Sequence, residues 1–186
     1  RVTRNLINSR FVRHAALTVT DSEVGKSDLV RLFGADPGKT RPIPLSPPPH
    51  VYQHRSLSES TLREVALRYD LPERFVFYPA QLWEHKNHRR LFEALAHLRD
   101  RDGLRVPCVL AGSGGDHAEG VLSAVPELGL EGQVLHVGYV PDADLAAIYK
   151  LSSALVYASF AEYTNMPVLE AMVLGTPVLC SNAFAM

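Results

Sequence analysis

The sequence predicts an α/β fold with a doubly wound parallel sheet. Short apolar runs alternate along the chain with amphipathic segments, and the apolar runs are nearly continuous in their hydrophobic residues. Continuous apolar strands are typical of parallel sheets that are buried on both faces. Regular alternation of strands and helices is typical of right-handed βαβ crossovers. A chain of 186 residues, 46% of them hydrophobic, is long enough to bury a core.

The first part of the chain reads as one strand, one helix and a connection. Residues 16–20 are a predicted strand, and the helix that follows begins with capping-box spacing at Thr20 and Glu23 and stops at Gly34. Residues 36–50 contain six prolines, which exclude a helix or an interior strand and favour an extended, semi-rigid connection. We therefore predict a domain boundary near residues 45–52.

Beyond this boundary the alternation is regular. Leu62, Val65, Ala66 and Tyr69 share one face of a first helix. The other predicted elements follow in order: strand RFVFYPA, a helix capped by Asn87, strand VPCVLAG, a helix over 117–128, strand QVLHVGYV, helix DADLAAIYKLS, strand ALVYAS, a helix from Pro167 and strand TPVLCS.

Composition excludes several classes of function. The net charge is −1, with 19 basic and 20 acidic residues, so no basic field favours nucleic acid as a partner. No apolar run approaches the ~20 residues that cross a bilayer. Cys108 and Cys180 lie in apolar strand-like runs, which favours buried, reduced thiols in a cytoplasmic protein over a disulfide.

The loops that follow the strands carry the candidate binding residues, because ligands of such sheets bind at the carboxyl ends of the strands. Gly112, Ser113 and Gly114 follow the second strand of the sheet domain, where glycines permit close backbone approach of a phosphate or sugar or simply form a tight turn. Tyr139 and Val140 follow the third strand, where a flat base could rest. The glycine loop with Gly112, Ser113 and Gly114 matches neither the dinucleotide fingerprint nor a P-loop, which disfavours a nicotinamide dehydrogenase.

Charged residues stand in the other two loops. Lys86 can meet a phosphate as a point charge or remain a solvated loop residue. His85 and His88 beside it form a poor metal site, so we predict no metal. Glu162 lies before the helix that starts at Pro167, and Glu170 lies one turn inside it. Both carboxylates could merely balance the helix dipole, or they could bracket a nucleotide diphosphate-sugar bound to the free amides of the helix start.

These motifs together resemble the retaining glycosyltransferases of family 4, which have the two-domain GT-B architecture. The Glu-x7-Glu spacing of Glu162 and Glu170 lies within EYTNMPVLEAMVLGTPVLCSN, and supporting matches are FVFYPAQLWEHKNHRRLFEAL, LAGSGG and LGLEGQVLHVGYVPDADLAAIYKLSSALVYAS. The resemblance implies that residues 1–48 are the tail of an acceptor domain with its linker. It implies that residues 49–186 are a truncated nucleotide-sugar-binding domain, so that the Rossmann-like half of a GT-B architecture is incomplete at both ends.

The resemblance implies transfer of a hexose with retention, from a UDP- or GDP-linked donor to a glycan or lipid-linked acceptor, without a cofactor or metal. It implies a cytoplasmic protein, at the inner face of the membrane if it associates peripherally. It assigns catalytic roles to Glu162 and Lys86. Donor-binding roles fall to a larger set: Glu170, Gln81, Gly112, Ser113, Gly114, Tyr139, Val140, Tyr163, Thr164, Asn165 and Met166.

Two features of the sequence depart from the family pattern. Gln81 stands where many members have an arginine, which removes one partner of the diphosphate. Tyr163, Thr164 and Asn165 replace the usual glycines and narrow the sugar pocket. Alternatives are a GT-B epimerase, which would change the donor without an acceptor, and a non-catalytic nucleotide-sugar-binding module. The fragment alone is expected to be inactive.

Overall fold

A computed structural model describes residues 2–160, 162 and 165–182, with side chains from residue 8 onward except that of residue 116. These residues divide into two compact units. One contains residues 2–46, 162, 165 and 182, and the other contains residues 47–160 and 166–181. The assignment of the two parts to acceptor and donor binding stays a prediction.

The first unit holds two helices and two short parallel strands. The helices are α1 (Val2–His14) and α2 (Glu23–Phe33), and strand β1 (Thr18–Thr20) pairs with β2 (Thr40–Pro42). The predicted cap of α2 is wrong, because Ser22 is the N-cap and its hydroxyl accepts from the Gly25 amide at 3.0 Å. Gly34 ends α2 in the left-handed conformation, as predicted.

The second unit is a five-stranded parallel sheet with the order β5-β4-β3-β6-β7, and it confirms the predicted fold class. Its strands are β3 (Val76–Pro79), β4 (Cys108–Ala111), β5 (Val134–His136), β6 (Ala154–Tyr157) and β7 (Val178–Cys180). Its helices are α3 (Pro49–Gln53), α4 (Glu59–Arg68), α5 (His88–Asp102), α6 (Ala118–Leu122), α7 (Ala124–Glu127), α8 (Asp142–Leu151) and α9 (Met166–Leu174).

Strand order places the helices on two faces. The chain moves outward in one direction from β3 through β4 to β5, then returns across the sheet to β6 and β7. Right-handed crossovers in opposite directions put their helices on opposite faces. Thus α5, α6 and α7 cover one face, while α8 and α9 cover the other, where α4 contacts α8 and α3 contacts α9.

Several predicted element boundaries need correction. The helix predicted over 117–128 is two short helices, α6 and α7, after a single 3-10 turn at Gly115–His117. The proline-rich segment contributes edge strand β2 and ends in helix α3, which starts at Pro49 because proline suits the first turn of a helix. Helix α9 begins at Met166, one residue before the predicted start at Pro167.

The core lies between the sheet and its helices. Phe77 and Val109 on the central strands are fully buried, as are Ile148 of α8 and Leu155 of β6. Cys108 is also buried, and burial raises its pKa to about 12, so the thiol stays protonated. Cys180 is exposed, contrary to the prediction, because β7 is an edge strand of the sheet in the described part of the chain.

No helix in the described part of the chain combines the length and the apolar character that crossing a bilayer demands.

The turn after β4 provides a test of the fold. Gly112 has φ +141°, and a Cβ built on it would lie 2.4 Å from the Ala80 carbonyl oxygen. Gly112→Ala should therefore lower the free energy of unfolding by about 1–3 kcal/mol, measured by denaturant titration. Gly120→Ala is the matched control, since a Cβ there meets no atom within 4 Å. Equal free energies of unfolding for Gly112→Ala and Gly120→Ala would contradict the close approach of the turn at Gly112 to the Ala80 carbonyl.

Candidate functional site

Three loops at the carboxyl edge of the sheet enclose a cavity of about 250 Å³, here called the edge cavity. The loops follow β3, β4 and β5, and five of the predicted donor-binding residues line the cavity together: Gln81, Gly112, Ser113, Tyr139 and Val140. The parallel sheet thus brings together residues that are as much as 59 positions apart in the sequence (140 − 81). An edge cavity of this kind is the usual ligand position of a parallel α/β sheet.

The walls of the edge cavity combine a rigid backbone with an exposed ring. The Gly112 amide donates to the Gly138 carbonyl at 2.7 Å, and the Gly112 carbonyl oxygen lies 2.9 Å from His136 Nε2. Val140 is buried in the core, whereas Tyr139 is 74% exposed. These bonds fix the backbone of the loops, and the Tyr139 ring offers a face on which a planar base can lie.

The glycines of this loop have structural reasons of their own. Gly112 lets the turn pass close to the Ala80 carbonyl, and a Cβ at Gly114 would lie 2.1 Å from the Ala118 Cβ. Close packing of the turn against β3 and α6 therefore explains both glycines without a ligand. Gly114 does not line the edge cavity. Its donor-binding role stays a prediction.

Glu170 lies on α9 as a buried carboxylate that is hydrogen-bonded to a neighbouring helix. The residue is 9% exposed, and its Oε2 accepts a hydrogen bond of 2.8 Å from the Tyr149 hydroxyl on α8. Burial raises the pKa of Glu170 above its ordinary value, and the hydrogen bond from Tyr149 opposes that rise. Burial and then the Glu170 carboxylate raise the pKa of Tyr149, so the phenol keeps its proton and donates.

The edge cavity shares two wall residues with a separate recess beside Glu170. Asp142 and Leu145, at the start of α8, line the edge cavity and also a small recess beside Glu170 that includes His50 and Tyr149. A carboxylate has about four lone-pair sites, so Tyr149 leaves capacity for further donors. Glu170 itself does not line the edge cavity, and the recess beside it has a volume of about 10 Å³.

Lys86 lies in a short 3-10 turn between β3 and α5. Its Nζ donates to the Tyr157 hydroxyl on β6 at 3.0 Å and lies 5.3 Å from the centre of that ring. In the strand order, β3 and β6 are the neighbours at which the chain direction across the sheet reverses. Ligands of doubly wound sheets bind at such a switch point, so Lys86 lies near the usual ligand position of this fold.

The loop that carries Lys86 is tied to strand β3 and to the end of β6. The Tyr78 hydroxyl donates to the Lys86 carbonyl at 2.5 Å, and the Ser159 hydroxyl donates to the His85 carbonyl at 2.9 Å. Asn87 is the N-cap residue of α5, as predicted, but its side chain makes no capping hydrogen bond and instead donates to the Ala158 carbonyl at 3.0 Å. These bonds hold the loop in place before any ligand arrives.

The remaining predicted site residues lie partly outside the described structure. Tyr163 and Thr164 are outside the described residues. Glu162 and Asn165 group with the first unit, while Met166 and Glu170 belong to the second. The catalytic role of Glu162, and the bracketing of one ligand by Glu162 and Glu170, therefore stay predictions.

Tyr149 and Asp142 lie beside Glu170, and neither residue was predicted to belong to the site. Tyr149 lies in an apolar helix stretch and reads as a core residue, and it is indeed almost fully buried. Asp142 is the first residue of α8, where an acid balances the helix dipole. Only the approach of α8 to α9 makes either residue a neighbour of Glu170. Among the described residues, no cluster of three metal-binding side chains occurs.

One known protein family matches most of the chain. A model of the family described as glycosyl transferases group 1 matches residues 63–186. The O-antigen chain mannosyltransferase B of Escherichia coli is 34% identical over 171 residues, which are 90% of this chain and 44% of that relative. The chain therefore spans less than half the length of this curated relative.

Solved structures share the fold. A glycosyltransferase from Rickettsia africae superposes with a TM-score of 0.84 at 20% identity, covering 98% of this chain and 49% of the other. HepE of Anabaena, solved with UDP and glucose, superposes with a TM-score of 0.83 at 20% identity, covering 100% of this chain and 50% of HepE. At this identity the likeness concerns the fold alone.

Glu170→Gln tests the electrostatic description of the site. The pKa of Glu170 is higher in the folded than in the unfolded state, so the charged carboxylate lowers the stability at neutral pH. The variant should therefore be more stable than the wild type at neutral pH, in thermal unfolding. The gain should shrink as the pH falls towards the ordinary glutamate pKa of about 4.3, because the folded wild type then takes up its proton.

Glu119→Gln is the matched control, since Glu119 is an exposed helix residue and its substitution should change stability by less than about 0.5 kcal/mol at either pH. An equal loss of stability in Glu170→Gln at neutral pH and near the ordinary glutamate pKa would contradict a raised pKa of Glu170 in the folded protein.

Proposed function

Since the chain belongs to the group 1 glycosyl transferases, we propose that it is the donor-binding half of a retaining hexosyltransferase. The edge cavity, which shares Asp142 and Leu145 with the recess beside the buried carboxylate of Glu170, is the observation that carries this proposal. The donor is a nucleotide diphosphate-sugar, linked to UDP or GDP. Its acceptor is a glycan or lipid-linked sugar, and transfer requires an acceptor-binding half in addition to these residues.

The base and ribose of the donor would occupy adjoining parts of the site. The base rests against Tyr139 and Val140, between backbone groups of the three loops. Asp142 and Leu145 bridge this place to Glu170, which would accept hydroxyls of the ribose in its charged form. Hydrogen bonds to a charged acceptor contribute about 1.5–3 kcal/mol.

The diphosphate would contact Lys86 at the switch point between β3 and β6. Because Gln81 replaces the arginine expected by family resemblance, Lys86 carries a larger share of the positive charge here. Arg89 and Arg90 are poor substitutes, since they pair with Glu93 and Glu127 on the exposed side of α5. Catalysis without a metal would then consist mainly of positioning and of stabilising the leaving diphosphate, with Glu162 near the transferred sugar.

The mannosyltransferase relative supports a hexose donor and a role in polysaccharide synthesis, and HepE supports a nucleotide that carries a diphosphate. Synthesis of a lipid-linked polysaccharide would place the protein in the cytoplasm, at the inner face of the membrane. A thermal-shift panel of UDP, GDP, ADP and their sugars tests the proposal. One nucleotide diphosphate should stabilise the protein selectively, and no shift with any of them would contradict donor binding.

Lys86→Ala tests the assignment of the diphosphate. The variant should weaken binding of the cognate nucleoside diphosphate by about 1.5–3 kcal/mol and leave binding of the nucleoside nearly unchanged, as measured by calorimetric titration. Lys150→Ala is the matched control, because Lys150 donates to the Arg55 carbonyl and lies outside the site. Equal weakening of nucleoside and diphosphate by Lys86→Ala would show that Lys86 acts on the structure of the loop.

A further inference from the structure

A second cavity lies at the same edge of the sheet, on the face covered by α5, α6 and α7. Its volume is about 390 Å³, within the ~300–1,000 Å³ typical of small-molecule sites. Segments that follow β3, β4 and β6 line it, and we call it the α5 cavity. It shares no lining residue with the edge cavity among the residues the structure describes.

Aromatic rings form part of the α5 cavity. Trp83, in the loop after β3, is 45% exposed, and Phe160, after β6, is 49% exposed. The Phe160 amide donates to the His85 carbonyl at 3.1 Å, so the two loops that carry these rings are held together. Large rings left partly exposed on fixed loops present flat apolar faces to a ligand.

The wall of the α5 cavity also contains a buried polar ring without a partner. His88 is 1% exposed, and neither of its ring nitrogens has a hydrogen-bond partner in the described part of the chain. The ring stacks on Tyr78 with 4.8 Å between centroids, which fixes its plane. Burial lowers the pKa of His88 to about 4, so the ring is neutral and offers one donor and one acceptor.

This combination matches a neutral, hydroxyl-bearing ring. Trp83 and Phe160 can cover the apolar face of a pyranose, while His88, Glu84 and His117 stand where hydroxyl groups would lie. A phosphate fits less well, because Glu84 lines the cavity and Arg89 is engaged with Glu93 and Glu127. The chemistry of the wall therefore favours an uncharged sugar over an anion.

The proposed nucleotide site and the α5 cavity involve opposite faces of the sheet, so a pyranose in the α5 cavity is distinct from the nucleotide of the donor. The edge cavity and the recess beside Glu170 share wall residues at the start of α8, and α8 and α9 cover the opposite face of the sheet. We propose that the α5 cavity binds a pyranose unit of the acceptor glycan, which gives the donor-binding half its own contact with the acceptor. This inference rests on the proposed function. It concerns a different cavity and has its own readout.

The test measures glycan and nucleotide binding separately. Methyl glycosides and trisaccharides of mannose and glucose are titrated against the protein by saturation-transfer NMR, and UDP and GDP by calorimetry. At least one trisaccharide should bind. Trp83→Ala and, independently, Phe160→Ala should weaken its binding by about tenfold or more, since each removes an aromatic anchor, and should leave nucleotide affinity unchanged.

Tyr139→Ala is the reciprocal control. It removes an exposed ring from the edge cavity and should weaken nucleotide binding while leaving the trisaccharide affinity unchanged. Normal nucleotide binding with no binding of any trisaccharide, or trisaccharide affinity unaffected by both aromatic substitutions, would overturn the inference and leave the proposed function intact. Loss of nucleotide-sugar affinity in Trp83→Ala, with UDP and GDP affinity unchanged, would assign the cavity to the donor's sugar and overturn the acceptor assignment. Failure of all nucleotides with normal glycan binding would contradict the proposed function alone.

Discussion

Parallel pairing of β3 with β4 on one side and β6 on the other is the constraint on which the site depends. Because all five strands of the sheet are parallel, each strand delivers its following loop to the same edge. The buried strand β3 sits between its two neighbours, in register with Cys108–Ala111 on one side and Ala154–Leu155 on the other. The edge cavity, the Lys86 loop and the α5 cavity all follow from this arrangement.

Two polar side chains, those of Glu170 and His88, are buried although burial of a polar group costs free energy. Glu170 is buried with a hydrogen bond from Tyr149, and the His88 ring is buried with none from the described residues. A buried polar group costs free energy unless it is paired, so hydrogen bonds from a ligand would lower that cost. Ligand hydroxyls would complete both residues, one set from the ribose of the donor and the other from a sugar of the acceptor.

The sequence was sufficient for the fold because the strands are short, continuously apolar and separated by amphipathic segments. It was also sufficient to place Gln81, Gly112 and Tyr139 at one edge, since the carboxyl ends of parallel strands meet there. It failed where a partner comes from a distant element. The bond from Tyr149 to Glu170 and the bond from Asn87 to Ala158 arise only when helices and strands pack, and no local pattern signals them. Cys180 was misassigned because an apolar run does not reveal that its strand lies at an edge.

The claim that Glu170 receives the ribose is tested most directly by a thermodynamic cycle between the protein and the ligand. The affinities of the cognate nucleoside diphosphate and its 2′-deoxy form are measured by calorimetry on the wild type and on Glu170→Gln. We expect that removing the 2′-hydroxyl costs the wild type about 1.5–3 kcal/mol and costs Glu170→Gln clearly less, so that the two changes are coupled. Equal costs in both proteins would show that Glu170 does not contact the ribose and would contradict the assignment.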